Sequence, residues 1–118
     1  MPTQAYGGEG SQCHPQTASA NFLDGHANAV IYGPGGVVSS DRLRIGVSLL
    51  APGVRHPDYC HTQVKVYLVV SEGEFRLGED DWGAPGYRSV LYTEPNIIHA
   101  MRSVARPLLA FWAFGYDF

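Results

Sequence analysis

The run His61-Thr62-Gln63-Val64-Lys65-Val66-Tyr67-Leu68-Val69-Val70-Ser71 sets an imidazole, an amide, an amine and a phenol at every second position. An extended chain sends alternate side chains to opposite faces. Read as a strand, the run puts His61, Gln63, Lys65, Tyr67 and Val69 on one side and Val64, Val66, Leu68 and Val70 on the other. The second row is apolar and is expected to be buried. If both faces of the sheet are covered, the polar row also lies inside, where unpaired polar groups are costly. Imidazole, amine and phenol are the groups of acid–base catalysis. A buried lysine loses basicity through desolvation and can serve as acid, base or amine nucleophile near neutral pH. The competing reading of Lys65 is a side chain that snorkels to water.

The elements that must position these groups are short. The chain has 118 residues, enough for one domain with one modest core. Charged residues make up 16 %, and there are 14 Gly, seven Tyr and five Phe, a mix that favours a turn-rich β fold over a helical bundle. Apolar runs alternate with turn signals, which predicts strands over 28–32, 42–51, 64–71, 74–77, 88–93, 97–101 and 107–115. In the second of these Leu43, Ile45, Val47 and Leu49 share a side. Residues 74–77 are expected to pair back on the central strand after a turn at Glu72-Gly73. One helix is conceivable over 18–24. Many short strands at regular spacing indicate an antiparallel sandwich or barrel. Residues 1–20, rich in Gly, Gln, Ser, Thr and Pro, are expected to be a flexible arm before a domain at 21–118.

Composition also narrows the partners. The net charge is −3 with no basic cluster, so neither nucleic acid nor an anionic membrane is an expected partner. No apolar stretch approaches the roughly 20 residues of a membrane span. No signal peptide is visible. Cys13 and Cys60 leave room for a single bridge, but a reduced pair in a cytoplasmic protein is the expectation.

These pieces resemble the cupins, small double-sheet β-barrels with two motifs. Pro52-Gly53 precedes Tyr59-Cys60-His61, Lys65, Tyr67 and Gly73, and Pro95-Asn96-Ile97-Ile98-His99 supplies the second motif. Within cupins the chain is most similar to the dimethylsulfoniopropionate lyase group, through Arg44-Ile45-Gly46-Val47-Ser48-Leu49-Leu50-Ala51-Pro52-Gly53 and through His99-Ala100-Met101-Arg102-Ser103 with Pro107-Leu108-Leu109-Ala110. The resemblance implies an all-β, single-domain cupin (jelly-roll barrel), expected to form a homodimer. It also implies an enzyme that removes a proton beside a carboxylate while a metal holds that carboxylate.

By the same resemblance, His61, His99 and Tyr67 match metal-side positions. Tyr59 stands where the first His of His-x-His is usual, Lys65 where a Glu ligand is usual, and His56 near a tyrosine proposed as base. Two sets of expectations follow. One is a divalent transition metal (Fe, Ni, Mn or Zn) on His61, His99 and Tyr67, serving a lyase or dioxygenase. The other has no metal, and His56, Tyr59, His61, Lys65, Tyr67 and His99 carry general acid–base chemistry in a lyase, isomerase or cyclase, such as a tailoring enzyme of a specialised pathway. Arg44, Arg102, Trp112 and Phe114 are candidates to hold the small-molecule substrate. A non-catalytic ligand-binding cupin remains a third reading. For His56, beside Pro57, the plainer alternative is a solvated loop residue, and for Tyr59 and Tyr67 it is ordinary strand aromatics.

Overall fold

The computed structural model describes residues 12–60, 64–86 and 88–115. Among them are nine strands: β1 (Gln12–His14), β2 (His26–Tyr32), β3 (Leu43–Leu50), β4 (Asp58–Tyr59), β5 (Lys65–Val69), β6 (Glu74–Leu77), β7 (Ser89–Thr93), β8 (His99–Arg102) and β9 (Leu108–Gly115). They form a four-stranded sheet in the order β1-β4-β8-β6 and a five-stranded sheet in the order β2-β3-β9-β5-β7. Every pairing between these strands is antiparallel. The two inner faces enclose one core, with Tyr67, Val69 and Leu108 from one sheet against Tyr59, Phe75 and Met101 from the other.

Strand phase decides what this core contains. In β3 the buried positions are Arg44, Gly46, Ser48 and Leu50, so Leu43, Ile45, Val47 and Leu49 face outward. In β5 the buried positions are Lys65, Tyr67 and Val69. The apolar row of the central strand, expected to be buried, lies on the outer face, where Val66 is 37 % and Leu68 40 % exposed. The polar row is taken inside because it shares a face with Trp112 and Phe114 of β9, in register at Tyr67↔Trp112 and Lys65↔Phe114. Burying those two aromatic rings outweighs keeping two smaller aliphatics from water.

A second expectation fails after β5. Residues 74–77 do not pair back on the central strand. Ser71 donates its hydroxyl to Pro107 O (3.0 Å) and accepts from Leu109 N (2.7 Å), which locks the end of β5 to the start of β9. The chain then crosses at Gly73, where a Cβ would lie 1.7 Å from Leu108 Cδ1. β6 therefore joins the other sheet and pairs with β8, Glu74↔Arg102 through Leu77↔His99. The helix expected over 18–24 is a single turn, Phe22–Gly25, which seats Phe22 in the core.

Of the stretch expected to be an arm, residues 1–11 lie outside the described residues. Residues 12–20 are tied to the barrel: β1 pairs with β4, Thr17 Oγ1 accepts from Asp58 N (2.7 Å), and Ser19 N donates to Arg55 O (3.1 Å). The reduced state expected for the cysteines is overturned, since Cys60 is disulfide-bonded. The pairing of β1 with β4 sets the backbone around residue 13 beside that leading into residue 60. No helix among the described residues is long and apolar enough to cross a membrane.

Candidate active site

β5, β9 and β3 build one wall of the site as cross-strand rows. Arg44, Phe114, Lys65 and Thr93 stand side by side in register, and the next row is Gly46, Trp112, Tyr67 and Leu91. Gly46 leaves the space that the indole needs, because a Cβ there would lie 2.1 Å from Trp112 Cζ2. Trp112 Nε1–H donates to Asn28 Oδ1 (3.1 Å) and Ser48 Oγ (3.0 Å), and Ser48 donates to Asn28 Oδ1 (2.8 Å). This buried triad fixes the ring plane. Sequence reading missed Asn28 and Ser48; the available signal was the small and polar row Arg44-Gly46-Ser48, which alternates with aliphatics as Lys65 and Tyr67 do.

The opposite wall comes from β4 and β8, where Tyr59 pairs with His99. Their rings stand 4.0 Å apart. Tyr67 reaches across from the five-stranded sheet: its hydroxyl meets that of Tyr59 and lies 3.2 Å from His99 Nε2. His99 Nδ1 faces Ile97 O at 3.2 Å, so Nδ1 carries the hydrogen and Nε2 accepts from Tyr67. The result is a directed chain, Tyr59 O–H to Tyr67 O–H to His99 Nε2.

Lys65 ends among rings from both sheets. Its Nζ lies 5.1 Å from the Tyr59 centroid, 5.2 Å from Tyr67, 4.8 Å from Trp112 and 5.7 Å from Phe114. Four aromatic faces attract a cation in that position. At 7 % exposure the side chain does not snorkel to water. None of the ion pairs among the described residues involves it. Burial, with the Arg44 guanidinium as a lesser cause, pushes the Lys65 amine down from 10.5 to about 7.

His56 is fully buried rather than solvated. Its Nδ1–H donates to Pro57 O (2.8 Å), and its ring lies 4.5 Å from that of Tyr59. Burial pushes it down to about 3, the Pro57 carbonyl opposes that, and the charges of Lys65, His26 and Arg55 add to it. It is therefore neutral at physiological pH.

The structure thus brings together Arg44, His56, Tyr59, Lys65, Tyr67, His99, Trp112 and Phe114. Arg102 is elsewhere. It faces out of β8, pairs with Glu74 (2.6 Å), lies 4.1 Å from the Trp82 ring and lines a surface hollow of about 520 Å³. His61 lies outside the described residues.

A divalent metal is the cofactor that the cupin resemblance implies. His99 Nε2 and the Tyr67 hydroxyl are donors, but no carboxylate stands with them, and the described residues contain no group of three His, Cys, Asp or Glu able to hold a metal ion. The interior holds the Lys65 amine instead. While that amine carries its proton, a dication in the same enclosure would meet like-charge repulsion of several kcal/mol. The described donors do not fit such an ion.

Comparisons with known proteins place this geometry. The family described as dimethylsulfoniopropionate (DMSP) lyase matches residues 8–110. No curated protein matches the chain. The structure resembles DMSP lyase DddQ from Ruegeria pomeroyi DSS-3, with a TM-score of 0.77 and 24 % identity over 92 % of this chain and 56 % of that one. It also resembles a structure reported for the DMSP lyases RdDddP and RnDddQII, with a TM-score of 0.77 and 22 % identity over 86 % of this chain and 53 % of that one. The chain therefore spans about half the length of these lyases. The polyketide cyclase RemF from Streptomyces resistomycificus shares the fold with a TM-score of 0.69 and 10 % identity, over 98 % of this chain and 79 % of that one. At these identities the likeness concerns the fold, an all-β cupin barrel, while the sequence match over residues 8–110 carries the assignment: the chain belongs to the DMSP lyase family of cupins.

Proposed function

We propose that the protein is a lyase-type enzyme that moves a proton on a small organic acid inside the barrel, without a metal. The observation that carries this reading is the directed hydrogen-bond chain Tyr59–Tyr67–His99 beside a buried ammonium that none of the described ion pairs includes. Lys65 takes the substrate carboxylate, and that negative charge holds the amine in its ammonium form. Tyr67 passes its hydroxyl proton to His99 Nε2 and, as phenolate, removes the proton next to the carboxylate. The electron pair released from the C–H bond forms a C=C bond as the β-substituent leaves with its own bonding pair. Tyr59 O–H steadies the Tyr67 oxygen. Tyr67 ends the step reprotonated by the substrate's own proton, and the His99 imidazolium gives its proton to the departing β-substituent or to solvent, which restores the site. The nearby ammonium favours both the phenolate and the enolate-like charge, the electrostatic help a low-dielectric interior makes strong. Isomerisation or cyclisation would begin from the same carbanion.

Solvent exchange tests this without knowledge of the true substrate. A panel of β-substituted propionates in D2O is followed by NMR for deuterium uptake beside the carboxylate and for acrylate release. Tyr67→Phe and His99→Asn are expected to abolish both, with the fold confirmed by circular dichroism. Full exchange in both variants would sink the proposal. Binding with no exchange in the wild type would favour a ligand-binding cupin instead. The compartment follows from chemistry too: the Cys60 disulfide fits an oxidising environment better than the reducing cytoplasm first expected.

A further inference from the structure

We propose that the site selects organic anions and rejects onium cations, because the aromatic cage that could hold an onium is filled by the chain's own Lys65 ammonium. Rings on several sides of one point are the recognised means of binding quaternary ammonium and related cations. Here Tyr59, Tyr67, Trp112 and Phe114 all lie within 5.7 Å of a single point, and that point is Lys65 Nζ. Arg44 is buried in the same cross-strand row, one strand beyond Phe114. Two cationic side chains thus share one end of the interior, and no ion pair among the described residues gives Lys65 a carboxylate. A substrate carboxylate is attracted there. A sulfonium or trimethylammonium group is met by like charge and finds its cage occupied. The family's sulfonio acid carries both groups, so this chain's substrate class differs from the family name in its leaving group, which is neutral or anionic before it departs.

The inference rests on the proton-transfer reading only in placing the substrate beside Lys65. Its test is a binding measurement that needs no turnover. Two probes of equal shape differ by one charge: 4,4-dimethylpentanoate and 3-(trimethylammonio)propionate. Calorimetric titration of the wild type should show the first binding about tenfold or more tighter. Lys65→Ala, which empties the cage, should erase or reverse that preference, and Lys65→Met, which fills the space without charge, should weaken the first probe while giving no gain for the second. Equal or tighter binding of the trimethylammonium probe by the wild type overturns the inference, as does a preference unchanged in Lys65→Ala. Selectivity with no proton exchange would leave the inference standing and defeat only the catalytic reading.

The outer face of the five-stranded sheet suits a partner of its own. Ile31, Leu49, Val66, Leu68, Val90 and Tyr92 lie there with exposures from 37 % to 66 %. Register makes them continuous: Val47, Phe111, Leu68 and Val90 form one row, and Ile45, Ala113, Val66 and Tyr92 the next. No outward position of these five strands carries a charge. We infer that this face pairs with the same face of a second copy. The six side chains expose on the order of 500–600 Å² of apolar surface, so two copies would bury roughly 1,000–1,200 Å², the level a specific interface needs. A charge-free apolar surface brings no like charges together when it meets its own copy across a two-fold axis. Sedimentation of the full chain at micromolar concentration should give a dimer, and Leu68→Lys with Val90→Lys should give a monomer of unchanged circular dichroism. A monomeric wild type, or a dimer that survives both lysines, overturns it.

Discussion

On the inner face of the five-stranded sheet, one cross-strand row reads Arg44, Phe114, Lys65, Thr93; directly behind it, on the outer face, the neighbouring row reads Ile45, Ala113, Val66, Tyr92. The polar row is sealed, with Arg44, Lys65 and Thr93 at 4 %, 7 % and 1 % exposure. The aliphatic row is open. A sheet with one wet face ordinarily shows the reverse. The inversion teaches that the interior is divided, with the buried polar groups gathered at one end of the barrel and the apolar core of Leu50, Val69, Leu108 and Met101 at the other. Burying the cations costs free energy, and that burial, with the Arg44 charge beside it, pushes the Lys65 amine down to about 7.

Tyr67→Phe attacks the inner face at its most consequential atom. Loss of one positioned proton-transfer group should lower proton exchange by about 10²–10⁴-fold. The fold should persist, since the ring remains in the core. Lys65→Met comes next and should raise stability. The folded-state amine loses its proton near 7 and the unfolded one near 10.5, so the unfolded chain binds more protons between those values. Wild-type stability should therefore climb by about 1 kcal/mol per pH unit from 7 toward 10.5. Below pH 7 the wild type bears the full cost of the buried charge, and there the Met variant should be more stable by a few kcal/mol. Urea denaturation across the pH series would show a flat variant against a rising wild type. His56 gives a second window in the same series: its folded value near 3 against 6.5 unfolded means that stability falls as pH drops from 6.5 toward 3.

Gly46→Val tests the wall rather than the charge. The new side chain collides with the Trp112 indole and should cost about 1–3 kcal/mol of stability. It should also shift Trp112 emission as the ring leaves Asn28 and Ser48. The smallest effect belongs to the outer face. Val90→Lys alone should change monomer stability by less than about 0.5 kcal/mol. A larger loss in a chain shown to be monomeric would mean that the two faces are less different than they look.

Much of the architecture was legible in the chain. Alternation located β2, β3, β5, β7 and β9 within a residue or two at most ends, because a strand's period of two leaves a clear trace. The facing residues were only half legible. The polar side of the central strand was read as inward on the condition that both faces were covered; Lys65 and Tyr67 do lie inside, although that condition is not met. The assumption that its aliphatic side is covered failed, because period alone does not say which face meets the core when both have reasons to be buried. The destination of β6 was also hidden: a turn at Glu72-Gly73 looks like a hairpin, and the crossing depends on Ser71 being held by β9, about 36 residues further on. At the site, His99, Tyr59, Tyr67 and Lys65 could be nominated from spacing and motif resemblance, whereas Asn28 and Ser48 gained their meaning only from Trp112.

From its residues alone this chain was committed to short antiparallel strands in a sandwich or barrel, since that follows from local alternation, while the cupin form of the barrel and an amine placed where the family usually keeps an acid were what its resemblance to that family implied. Which carbonyl set the His99 tautomer, which rings closed around Lys65, and why Arg102 was left outside were decided by the tertiary fold. Those outcomes depend on contacts between strands far apart in sequence, and pairing order and strand phase are properties of the assembled sheets.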